Sequence, residues 1–102
     1  MTDFEYIRGQ VPAGEQLAML AEEAMELGQA ALKLRRALDG TNPTPVGIDG
    51  AMVSFREDMS DVLLCLRVLG YGKPTAAVEN IIEAKTQRWV SRLKEKERTE
   101  AG

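Results

Sequence analysis

Residues 15–38, EQLAMLAEEAMELGQAALKLRRAL, decide how the rest of the chain is read. Leu17, Leu20, Ala21, Ala24, Leu27, Gly28, Ala31, Leu34 and Leu38 recur at steps of three and four, the spacing of an amphipathic helix. Lys33, Arg35 and Arg36 fall toward its C-terminal end, where the helix dipole favours cations, and Asp39-Gly40 supplies a stop. Upstream, Met1–Gly14 is short and mixed, punctuated by Pro12 and Gly14, and reads as an arm or short helix. Downstream, Thr41–Gly50 carries Pro43, Pro45, Gly47 and Gly50 and reads as a loop, either a lid over a ligand or a plain connector. A second helix is expected over Ala51–Leu69, with Met52, Phe55, Met59, Val62, Leu63, Leu66 and Leu69 on its stripe and Gly70 as its stop. Thr75 caps a third, running to about Arg98, with Val78, Ile81, Ile82, Trp89 and Leu93 as its apolar side. Residues 99–102 read as a frayed tail. The fold expected is therefore an all-α helical bundle, one domain over residues 15–98.

Composition narrows the chemistry. The 102 residues are 44% hydrophobic and 28% charged, which is a globular balance. The net charge of -3 gives no global basic surface for a nucleic-acid polymer. There is no histidine, so imidazole-based zinc sites, serine–histidine triads and histidine bases are excluded. The single cysteine, Cys65, cannot form an intrachain disulfide, and it reads as a small buried hydrophobe. No apolar run follows a basic start and no stretch approaches a membrane span, so a cytoplasmic location and no membrane partner are expected. A few helices in so short a chain bury little surface, which points to a homo-oligomer.

Two acidic clusters stand out. The first helix holds Glu22, Glu23 and Glu26; the second holds Glu57, Asp58 and Asp61. Glu23 with Glu26, and Asp58 with Asp61, are three apart and hence neighbours on a helix surface. Asp58 and Asp61 share a side with Cys65 and Val68, and Glu23 and Glu26 share one with Met19, Ala30 and Ala37. Glu22 lies opposite the main stripe. Carboxylates converging among apolar residues are costly unless a cation lies between them. Oxygen-only donors suit hard cations, Mg²⁺ or Mn²⁺, and Mg²⁺ readily shares its shell with phosphate oxygens. On the third helix Lys85 and Arg92 fall within the apolar stripe, with Arg88 at its edge. Such side chains either snorkel outward or hold phosphate, and Lys33 and Arg36 are further cationic candidates. Trp89 reads as core.

The pattern Glu22-Glu23-x-x-Glu26, followed across a loop by an acidic pair ending in Asp61-Val-Leu-Leu, resembles the EExxE…ExxD signature of the MazG-like pyrophosphohydrolases. Lys85-x-x-Arg88 is similar to the basic motif that many members carry on the later helix. The resemblance covers about Leu17 to Leu93. It departs from the pattern at Asp58, where the family usually has Glu, at Glu57 as an alternative match, and in the long connection between the acidic pairs. It implies Mg²⁺-dependent hydrolysis of a nucleoside triphosphate to monophosphate and pyrophosphate, in a homodimer or homotetramer with sites near the subunit contacts. It further implies Glu23, Glu26, Asp58 and Asp61 as metal ligands, Glu22 or Glu23 as the carboxylate acting on water, and Lys85 and Arg88 on the substrate phosphates, to which Lys33 is added from its place on the first helix. Two alternatives remain open on the residues: a phosphoribosyl nucleotide as substrate, and a non-catalytic helical interaction module whose acidic pairs meet Lys and Arg of a partner.

Overall fold

The computed structural model describes residues 1–40 and 47–101, and each of its regular elements is a helix. α1 spans Asp3–Gln10, α2 Ala13–Asp39, α3 Gly47–Leu69 and α4 Ala76–Ala101. The chain divides into two compact units, Met1–Gly72 with the first three helices and Lys73–Gly102 with the fourth. No helix among the described residues is long and apolar enough to cross a membrane.

The helices fall where the apolar spacing puts them, with differences at their ends. The N-terminal segment is mostly helical: Thr2 accepts a hydrogen bond from the Glu5 amide at 3.1 Å and caps α1. α3 begins at Gly47, so Gly47–Gly50 are helical where a loop was expected. Asp49 lies in its first turn, where the helix dipole favours a carboxylate. Residues 41–46, and with them the lid reading, lie outside the described residues. α4 runs past Arg98 to Ala101, with Thr75 accepting from the Val78 amide at 3.3 Å.

The apolar stripe expected on α2 resolves into two. Gln16, Leu20, Glu23, Leu27, Ala30, Leu34 and Ala37 are buried or half-buried along it, at alternating steps of four and three, and Arg36 is half-buried beside Ala37. Ala51, Phe55, Asp58, Val62, Cys65 and Leu69 repeat that spacing on α3. These are seam positions of two helices packed along their lengths. The helices run antiparallel: Gln16 and Met19 share a cavity with Leu64, Cys65 and Val68, while Glu26 and Lys33 share a cleft with Ser54 and Asp58. Leu17, Ala21, Ala24, Gly28, Ala31 and Leu38 form the second stripe and are exposed, Leu17 by 58%. Gln16, not Leu17, is buried, because its amide has backbone partners.

Those partners close α1 onto α2. Gln16 Nε2 donates to the carbonyls of Arg8 at 3.0 Å and Val11 at 2.7 Å, groups left without helical donors at the end of α1. The C-terminus of α3 is closed by a Schellman motif: Gly70 donates to the Arg67 carbonyl and Tyr71 to that of Leu66. Gly70 takes φ 96°, which a Cβ disfavours.

In the second unit, α4 has Val78 half-buried and its other positions exposed. Trp89, expected in a core, is 69% exposed.

Candidate metal centre

Long antiparallel helices bring the two acidic clusters to one level of the seam. Glu23 occupies a seam position of α2 and Glu26 lies one turn on. Asp61 extends from α3. Carboxylate oxygens of Glu23, Glu26 and Asp61 all lie within 4.8 Å of one another, a spacing that one cation can bridge. Glu23 is half-buried, and its Oε2 is buried with no hydrogen-bond partner. An orphaned carboxylate oxygen of this kind is costly and calls for a positive group.

The electrostatics follow from that crowding. Burial pushes the Glu23 carboxyl above the ordinary carboxylate range; the charge of Glu26, then those of Asp61 and Asp58, push it further. The Cys65 thiol, one turn beyond Asp61, is raised by burial first and then by Glu23 and Asp61. The ion pairs among the described residues join Arg35 to Asp39, Lys96 to Glu100 and Arg98 to Glu95, so none of them neutralises this cluster.

Each residue singled out from sequence has a definite place. Asp58 is half-buried and acts on Glu23, but it is outside the three whose oxygens converge. With Glu26, Gln29, Ala30, Lys33 and Ser54 it lines an adjoining cleft of about 320 Å³. Glu57 is exposed on α3. Glu22 is exposed and also outside the converging three. Lys33 stands in the cleft wall, and so carries a cation to the edge of the acidic cluster. Lys85 and Arg88 are exposed on α4, in the second unit. Gln29 and Ser54 were not singled out from sequence. Both lie one turn from an acidic ligand candidate, Gln29 three after Glu26 and Ser54 four before Asp58, and that spacing was the available signal.

A second cavity, of about 180 Å³, lies on the other side of Cys65. Ile7 and Val11 contribute to it from α1 and its end, Gln16 and Met19 from α2, and Leu64, Cys65 and Val68 from α3. One end of the α2–α3 seam is thus apolar and the middle is anionic, with Cys65 between.

No family model, curated protein or solved structure matches the chain. The chemical reading rests on the donor set itself. Three carboxylates, with no imidazole and the thiol on the apolar side, suit a hard divalent cation, and Mg²⁺ or Mn²⁺ fits these donors.

Proposed function

We propose that the chain is a Mg²⁺-dependent nucleoside triphosphate pyrophosphohydrolase of the MazG-like kind. The observation that carries the reading is the buried, unpartnered Glu23 Oε2 among the carboxylates of Glu26 and Asp61. A purely solvated acidic face has no reason to place that oxygen on a helix seam.

In this reading Glu23, Glu26 and Asp61 hold the ion, and Asp58 holds it or a second one from the cleft side. Mg²⁺ bound there would neutralise phosphate charge and lower the pKa of a coordinated water. Glu22 or Glu23 would orient or deprotonate that water. Lys33 holds phosphate oxygens in the cleft. The bare stripe of Leu17, Ala21, Ala24, Gly28, Ala31 and Leu38 supports assembly as a homodimer or homotetramer, since small residues at seam spacing let a second helix approach closely.

Incubating the protein with a panel of nucleoside triphosphates and a phosphoribosyl nucleotide, in Mg²⁺, tests the proposal. Monophosphate and pyrophosphate are expected, and the panel decides between the two substrate classes. Release of orthophosphate, or no turnover of any member, contradicts it. Asp61→Ala is expected to abolish turnover while leaving the circular dichroism spectrum helical.

A further inference from the structure

α1 is attached to the rest of its unit by polar groups at helix ends and by the half-buried Phe4, which lies by Leu63 and Leu64 of α3. It contains no buried residue and joins α2 through Val11 and Pro12 alone. Gln16 of α2 donates to the carbonyls of Arg8, in the last turn of α1, and of Val11 just beyond it. Arg8 of α1 in turn donates through Nε to the Val68 carbonyl, and through Nη2 to that of Arg67 at 3.3 Å. The Val68 carbonyl is one that the Schellman motif leaves over, and the C-terminal end of a helix favours a cation. The guanidinium packs on Gly70, with its central carbon 3.6 Å from where a Cβ would stand, and the Arg67 guanidinium lies 5.9 Å from the centre of the Phe4 ring. Beneath this latch is the 180 Å³ apolar cavity, to which α1 contributes only Ile7, with Val11 just beyond it. Cys65, 8% exposed, is in the cavity wall.

We propose that α1 is a hinged cover over this cavity, held shut by Arg8 on the C-terminal carbonyls of α3. Release of Arg8 swings α1 about Val11–Pro12 while α2 and α3 stay paired. The cavity widens and the buried Cys65 thiol then faces solvent. The cover is a local opening unit, cheaper to displace than the long seam behind it. It controls access to the apolar side of the seam, one helical turn from the acidic cluster, whether or not that cluster holds a metal.

The single cysteine makes the opening measurable. Cys65 is only 8% exposed in the wall of this partly open cavity, so its rate of reaction with Ellman's reagent reports displacement of α1. In the wild-type protein the reaction should be slow and nearly independent of urea at low concentration. Arg8→Ala should speed it about tenfold or more with helicity retained, and Arg8→Lys, which keeps the charge without the fork, should fall between. Hydrogen exchange on the wild-type protein provides a reading that needs no variant: the amides of α1 should exchange through one low-denaturant opening, ahead of those in α2 and α3. Equal Cys65 reactivity in folded Arg8→Ala and wild type overturns the proposal. So does a wild-type reaction or α1 exchange with the full urea dependence of global unfolding.

Discussion

Glu23 is where the fold and the proposed chemistry pull against each other. Its seam position withdraws it from water, and Glu26, Asp61 and Asp58 add negative charge around it, so its folded pKa is raised. A carboxyl with a raised folded pKa binds its proton more tightly in the native state. Its favourable contribution is full below the unfolded value, about 4.3, and is lost as pH rises through the higher folded value. In chelator-treated protein, melting temperature should therefore fall as pH rises from about 4 through that window. Glu23→Gln should flatten this part of the profile and melt higher than wild type near pH 7 without divalent ions. Thermal melts of the two proteins across pH check this, and parallel profiles would remove the strain assigned to Glu23. Because proton and cation compete for the same oxygens, Mg²⁺ should raise the melting temperature more at pH 8 than at pH 5. At ten times its dissociation constant the ion contributes about 1.4 kcal/mol. That corresponds to roughly 5–10 °C for a domain of this size. Equal shifts at both pH values would argue against carboxylate ligation.

At the scale of the helices, the repeat of apolar residues was enough to locate α2, α3 and α4. The stops at Gly40 and Gly70 were legible because glycine there takes positive φ, 67° and 96°. The face each helix turns inward was less legible. On α2, leucines and alanines occupy two stripes at the same spacing, and composition alone does not say which one α3 covers. Gln16 is buried through hydrogen bonds to carbonyls of α1, a partnership between elements that no periodicity records. The Arg8 latch was hidden for the same reason, since its acceptors lie 59 and 60 residues away. The acidic residues were legible because Glu23 and Asp58 interrupt otherwise apolar seam positions. What sequence did not supply was the division that leaves Asp58 at the cleft while Glu23, Glu26 and Asp61 converge. That depends on the axial offset of the two helices. Gly70→Ala tests the account of the α3 terminus: forcing a Cβ into the left-handed region costs about 1–2 kcal/mol. Chemical denaturation should show a lower midpoint with unchanged slope. A variant as stable as wild type would mean that the motif contributes little.

For the whole molecule, the decisive feature is how much apolar side chain each unit leaves uncovered. In the first unit this includes the exposed α2 stripe; in the second it includes Ile81, Ile82, Trp89 and Leu93, all more than a third exposed. Large exposed apolar patches are where contacts between chains form. Sedimentation at micromolar concentration should therefore show an assembly larger than one chain. Gly28 lies mid-stripe with open space around the position of an added Cβ, so Gly28→Glu is compatible with the single chain. It should shift the sedimentation profile toward the monomer by placing a charge in the contact. A wild-type monomer, or an assembly indifferent to this change, would mean that the stripe is not the contact surface. The proposed chemistry depends on Glu23, Glu26 and Asp61 forming one cation site. Isothermal titration of Mg²⁺ into metal-free wild-type protein and Asp61→Asn tests it most directly. Saturable binding to wild type, weakened about tenfold or more by the substitution, is predicted; no saturable binding, or the same affinity in both proteins, would contradict it.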